Sequence, residues 1–136
     1  MLTEIIAPIV AELRNNGVSP VYSVFDNVDI AAKSHGIFTV VGICSFETDS
    51  PIYSQYNIFF PFKSDIEIKL TAPPNYSLSQ IYSYYDTKID PVVSGMSGLT
   101  CRIKGISAKF DSNIQRLVLT VKLGASGISR LERSSP

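Results

Sequence analysis

Histidine, cysteine and net charge are the scarce quantities in this sequence. Its one histidine, His35, sits in a Lys-Ser-His-Gly loop with no second histidine and no acid at a fixed spacing. Metal binding and triad chemistry both need such partners, so neither is expected there. The two cysteines, Cys44 and Cys101, lack metal-ligand spacing and fall in apolar, strand-like runs, where a buried free thiol is the common outcome. No apolar run approaches the roughly 20 residues needed to span a bilayer. The first apolar stretch opens Met1-Leu2-Thr3-Glu4, an acid where an export signal needs positive charge. Export and membrane insertion are not expected, and cytosolic synthesis is the economical reading. No Walker A loop or dinucleotide fingerprint is present. Ser94-Gly95-Met96-Ser97-Gly98 lacks the spacing of a nucleophile elbow and reads as a hinge before a strand. With no catalytic constellation, no cofactor and no metal site, an enzyme is not expected.

The formal net charge of zero conceals a lopsided distribution. Residues 1–68 carry eight acidic side chains against three basic ones, a balance of −5. Residues 69–136 carry nine basic against four acidic, a balance of +5. Past Leu99, seven Lys and Arg face only Asp111 and Glu132. Either the two halves pack together and cancel, or copies of the chain meet head to tail, acid against base. A heterologous contact of the second kind closes into a ring when the rotation permits. At 136 residues, with 45% hydrophobic content, one domain can bury a real core without disulfides or metals.

Leu2, Ile5, Ile6, Ile9, Val10 and Leu13 form an apolar stripe at helical spacing, with Thr3 as N-cap and Asn16-Gly17 as a left-handed stop. Pro8 removes one backbone bond inside that helix. After Pro20 comes a short apolar run, Val21 to Phe25, and then a polar loop. Gly36 to Glu47 reads as a strand buried on much of both faces, and Thr48-Asp49-Ser50-Pro51 as a turn. Ile52 to Ala72 is a long extended segment, in which Pro61 predicts a bend, a bulge or an edge position. Ser77 predicts a second N-cap, and Leu78, Ile81, Tyr82, Tyr85 and Ile89 a second helix that Pro91 ends. Leu99–Phe110 and Arg116–Leu123 form a hairpin around a loop at residues 111–115. The order predicts one α+β domain over residues 1–123, a mostly antiparallel twisted sheet with two amphipathic helices packed on one face. Residues 124–136, small, polar and basic, are expected as a flexible tail.

The remaining candidates are weak as chemistry. Asn75-Tyr76-Ser77 matches a glycosylation acceptor by chance, since Ser77 serves as a cap. Asp26, Asp29, Glu47 and Asp49 suit a solvated surface better than a hard cation. The basic hairpin, with Arg102, Lys104, Lys109, Arg116 and Lys122, raises nucleic-acid binding, but the pI of about 6.6 and the missing RNA-binding aromatic motif point to a protein contact or plain solvation. Nine of fourteen aromatics fall within residues 52–85. Tyr84 lies off its helix's apolar stripe, and Phe59-Phe60 cannot both point inward. Phe59, Phe60, Tyr84, Arg102, Lys104, Lys109, Arg116 and Lys122 are therefore the candidate subunit-interface residues. The aromatic cluster suits a ligand pocket equally well.

The element order resembles that of tail terminator (tail-completion) proteins of tailed bacteriophages and phage-tail-like particles. Members are small, begin with an amphipathic helix like Leu2–Leu13, and place a second helix after a long strand. They commonly close with a polar turn and a strand like Arg116-Leu-Val-Leu-Thr-Val-Lys-Leu123. The resemblance implies a structural virion protein, made in the bacterial cytoplasm, that forms a homo-oligomeric, hexameric ring. Such a ring caps the tail tube and offers a surface to sheath, neck or head, with itself and the tube as partners and neither membrane nor sequence-specific nucleic acid. Another neck, tube or baseplate part is the near alternative; a small cone-shaped ligand-binding domain, with its pocket between helix and curved sheet, is the distant one.

Overall fold

The computed structural model describes residues 2–18, 21–23, 36–96, 98–112 and 115–132. Asp26, Asp29, His35, Ser97, Asn113, Ile114 and residues 133–136 lie outside the described residues, as does the side chain of Thr3. Helix α1 (Leu2–Asn15) buries Ile5, Ile6, Ile9 and Leu13 and leaves Pro8 on its exposed side. The carbonyl that Pro8 strips of a partner therefore faces water, and the helix continues. It ends as its last residues dictate. Gly17 adopts φ +85°, Val18 N–H donates to the Leu13 carbonyl at 2.9 Å, and Gly17 N–H to that of Arg14 at 3.1 Å. This is a Schellman close, sealed by contact between buried Leu13 and Val18.

Strands β1 (Val21–Ser23), β2 (Phe38–Thr48), β3 (Ile52–Tyr53), β4 (Asn57–Ala72), β5 (Thr100–Asp111) and β6 (Arg116–Glu132) form one sheet. Its order is β1-β2-β4-β6-β5, with β3 on the β2 side of β4. Only β1–β2 is parallel. The expected extended segment 52–72 is thus two strands. Ser54 makes the turn between them, its N–H and Oγ both donating to the Asn57 carbonyl at 2.8 and 3.0 Å. The expected tail also differs: residues 124–132 continue β6, in unbroken register with β4 from Gly124↔Asp65 to Glu132↔Asn57. Small residues at 124–127 hide the alternation that marks a strand, and the partner strand supplies the order.

Pro61 causes no bulge. The β4–β6 register passes through Pro61↔Ile128 without a shift. A strand residue turns its nitrogen and its carbonyl toward the same neighbour, and the Pro61 carbonyl accepts from Asp49 N–H at 2.9 Å. The donorless nitrogen therefore faces the β2–β3 connection, where no ladder partner is lost. Pro61 occupies a local edge inside a long strand. The bulges lie elsewhere, at Cys44 in β2 and Lys104 in β5.

Helix α2 (Leu78–Tyr84) starts with the expected cap, a capping box in which Ser77 and Gln80 satisfy each other's backbone N–H groups. Pro91 does not end it. A π-helical turn (Tyr85–Ile89) carries the axis on into α3 (Asp90–Ser94). Pro91 has no N–H for the Thr87 carbonyl, and the Asn16 side chain, at the end of α1, donates instead to Lys88 at 2.8 Å and Thr87 at 3.3 Å. Burial first, then the neighbouring Asp90 carboxylate, push the Tyr85 hydroxyl up to about 12, so it remains a donor to Asp90 at 3.2 Å. Ile81, Tyr85, Ile89, Val92 and Val93 are buried along this composite helix. They join the α1 stripe over Ile66, Ile68, Leu70, Leu119, Val121 and Leu123, so both helices pack on one sheet face. Leu78 and Tyr82, expected in the stripe, are exposed.

Because Asn16 donates to two carbonyls, one of them left without its donor by Pro91, Asn16→Ala should lower unfolding free energy by about 1–3 kcal/mol. Asn15→Ala, at an exposed position on the same turn, should stay within about 0.5 kcal/mol. Urea titration of both variants separates these outcomes, and equal effects would remove the bridging role.

Candidate assembly surface

The helices cover one face of the sheet and leave most of the other open, save the end where Phe38, Thr71, Arg116 and Val118 are buried, and strand alternation assigns each side chain to one or the other. Among the described side chains, Lys63, Lys69, Arg102, Lys104, Lys109, Arg116, Lys122 and Arg130 stand on the open face against Glu47, Asp65, Glu67 and Asp111, eight cations to four anions. Charge among these side chains shifts from acidic to basic across the sheet: −1 on β2 and zero on β4 (two of each sign), then +3 on β6 and +2 on β5 (three against one). The split between the halves of the sequence survives as a gradient, with partial cancellation where β4 meets β6.

Asp65 is the meeting point. Lys104 Nζ lies 2.6 Å from Asp65 Oδ1, and Ser45 Oγ donates to Asp65 Oδ2 at 2.9 Å. Lys104 reaches β4 from β5 by passing over Gly124 of β6, where an added Cβ would sit 3.4 Å from its Cε. Both bulges fall beside this crossing and turn their strands there. The Lys104 hydrogen bond, then that of Ser45, holds the Asp65 carboxyl below its ordinary range. Around the pair lies an open cleft of about 490 Å3, lined also by Glu47, Lys63, Thr100, Arg102 and Ser126. Cys44, expected to be buried, is exposed because the bulge turns it outward, and Cys101 is half-buried; both are free. Burial raises both thiols, with Glu67 adding at Cys44, so neither is an activated nucleophile.

Beyond Thr48 of β2 and Thr100 of β5, strands β3, β4 and β6 run on as an arm. Ile52↔Phe59 and Pro61↔Ile128 share the open face of this arm. Its apolar side chains are unusually exposed: Ile52 at 55%, Tyr53 at 65%, Tyr56 at 61% and Ile128 at 62%. Phe59 and Phe60 are half-buried on opposite faces, as a flat strand requires. Behind them, Phe62 stacks on Phe46 at 5.6 Å and closes the core.

The structure sorts the other interface candidates. Arg102, Lys104, Lys109 and Lys122 are exposed on the open face. Arg116 stands apart from them. It is buried, its guanidinium lies 4.7 Å above the Phe38 ring, and it donates to the carbonyls of Gly36 and Thr71. Burial lowers its pKa from the usual guanidinium value. Tyr84, expected off the stripe, is half-buried against the core. Ile52, Tyr56, Ile106 and Phe110 are exposed apolar residues that the pattern placed inside extended segments without regard to cover, and exposed Ile128 fell in the expected tail. Isolation of Ile128 among Gly, Ser and Arg was the one available signal. Among the described residues, no group of three His, Cys, Asp or Glu could hold a metal, and no helix is long and apolar enough to cross a membrane.

No protein-family model matches the chain, and no curated protein matches it. Among solved structures, 99% of it is similar to the sheath/tube terminator, in its extended state, of PVC, an extracellular contractile injection system. The TM-score is 0.58 at 12% identity, and the chain spans 59% of that terminator. A second solved chain, known by a sequence identifier alone, scores 0.52 at 13% identity, with 97% of this chain and 95% of that one covered. The type 4 fimbrial biogenesis protein PilO of Pseudomonas aeruginosa scores 0.36 at 10% identity, over 94% of this chain and 69% of that one, too low to bear on the fold. At these identities the likeness is one of fold.

Two outcomes test the site's division of labour. Arg116→Ala leaves two partly buried carbonyls unserved and should cost about 2–3 kcal/mol, whereas Lys122→Ala should change stability by less than about 0.5 kcal/mol. Chemical denaturation that ranks them equally would return Arg116 to the interface set. The Asp65 carboxyl is held below its unfolded value, so its contribution is complete above that value and fades as pH falls through the folded one. Asp65→Asn should therefore flatten the acid side of a Tm-versus-pH curve and leave its neutral shape unchanged.

Proposed function

We propose that this chain is a tail terminator subunit of a phage or phage-tail-like particle, and that it acts by assembly with no reaction to catalyse. The observation that carries this reading is the likeness in fold, over 99% of the chain, to the PVC sheath/tube terminator. In this reading copies of the chain form a hexameric ring on the finished tube, block further subunit addition, and present a surface to sheath, neck or head. The protein is made in the bacterial cytoplasm and works in the particle. It needs no cofactor.

Physical features of the surface support the reading. The arm exposes large apolar side chains that a lone subunit gains nothing by showing to water. The charge gradient across the sheet suits a contact between unlike edges, which is the contact that generates rings. The 490 Å3 cleft lies on the open face of the sheet, whereas the cone-shaped ligand-binding alternative needs a pocket between helix and sheet.

Mixing the protein with purified tail tubes tests the proposal. It should co-sediment with them, appear as added density at one tube end in negative stain, and stop tube growth. Light scattering at low salt should find species several times 14.9 kDa that dissociate as salt rises. Tubes that stay bare, or turnover of a substrate by the purified protein, would sink the reading.

A further inference from the structure

Two exposed apolar patches occupy opposite edges and opposite ends of the sheet. At the arm, on the β2–β3 side, Ile52 is 55% and Tyr56 61% exposed. Glu47 and Asp49 flank them, and no basic residue occurs between positions 47 and 62. On the far edge, β5 exposes Ile106 at 47% and Phe110 at 46%. Those two side chains stand on the helix-side face of the strand, Arg102 and Lys109 on its open face and Lys104 at the bulge, and among the described residues no strand pairs with its outer side. Leu117, opposite Phe110, and Ile128 of the arm stand eleven residues apart on β6, roughly 36 Å at about 3.3 Å per residue. The patches are therefore separate surfaces.

Neither patch complements itself. Two β5 edges brought together would set cations against cations, and two arms meeting along their β2–β3 sides, away from Arg130, would set acids against acids, each costly across an interface. Arm against β5 matches apolar to apolar and acid to base. We infer that the β2–β3 side of the arm of one copy docks around the free edge of strand β5 of the next, with Ile52 against Ile106 and Phe110 on one face of that strand and Asp49 facing Lys109 on the other. The contact is heterologous, so each copy offers one arm and one β5 edge, and successive copies follow one another around a ring. This inference rests on the terminator reading and names the subunit contact within it.

Cross-linking decides it. In a background with Cys44→Ser and Cys101→Ser, Ile52→Cys and Phe110→Cys are introduced singly and together. Each protein is treated with a short bismaleimide, free and bound to tail tubes, and imaged in parallel. The double variant should give a ladder of covalent dimer, trimer and higher species. A mixture of the two single variants should stop at dimer, and neither single variant alone should cross-link. Asp49→Lys should reduce the ladder at least tenfold, and adding Lys109→Asp should restore it. All four positions are exposed, and thermal unfolding of each variant verifies folding. A dimer from one single variant alone, or no ladder where imaging finds rings, would overturn the contact while leaving the terminator reading intact. Bare tubes and no rings would overturn that reading and the contact with it.

Discussion

Sixteen consecutive residue pairs join β4 to β6, from Asn57↔Glu132 to Ala72↔Leu117, and the rest of the sheet hangs on that ladder. At one end it sets Ile66, Ile68 and Leu70 beside Leu123, Val121 and Leu119, all buried and all on the face the helices cover. Register in such a sheet is all or none, because a slip of one residue would turn this whole set to water and bring Lys69, Glu67 and Lys122 inward. The hydrophobic term thus fixes the register, and the register in turn fixes where every charge stands. Pro61 survives within the ladder because its nitrogen points at a gap between β2 and β3.

The same ladder explains why equal charges have unequal roles. Arg116 lies where β6 begins, under the loop side of β2, and two carbonyls together with the Phe38 ring replace its water. Lys104 lies at a bulge on the outermost strand, and a glycine beneath it clears a path to Asp65. The first is a structural cation with little room for change. The second is an exposed pair, weak in water and well placed to orient the cleft.

Function, in this picture, follows from what the ladder leaves uncovered. It outruns β2 at one end and so creates an arm with no helix over it and apolar side chains on display. It also stacks basic β6 and β5 beyond neutral β4 and weakly acidic β2, which turns an imbalance along the chain into one across a surface. The proposed terminator role asks for a hold on neighbouring copies and on a tube, and unlike edges on a stiff sheet suit that demand.

Local periodicity was enough to define the α1 stripe with its Asn16-Gly17 stop, the Ser77 cap, the alternation of Ile66, Ile68 and Leu70, and the α+β class, since each depends on neighbours within about one helical turn or a few strand positions. The interface candidates were legible only as types. Phe59, Arg102, Lys104, Lys109 and Lys122 do stand on the open face, but Arg116 reads as one more basic residue until Phe38 and Thr71 close over it. The extent of β6 through Gly124-Ala125-Ser126-Gly127, the passage of the second helix across Pro91, the harmlessness of Pro61 and the exposure of Cys44 were decided by tertiary structure. In each case the deciding partner lies far along the chain: β4 for the first, the Asn16 amide for the second, the Asp49 turn for the third and the β2–β4 bulge for the fourth. Sequence pattern records what a residue prefers; the partner that satisfies its backbone is known only once the strands have met.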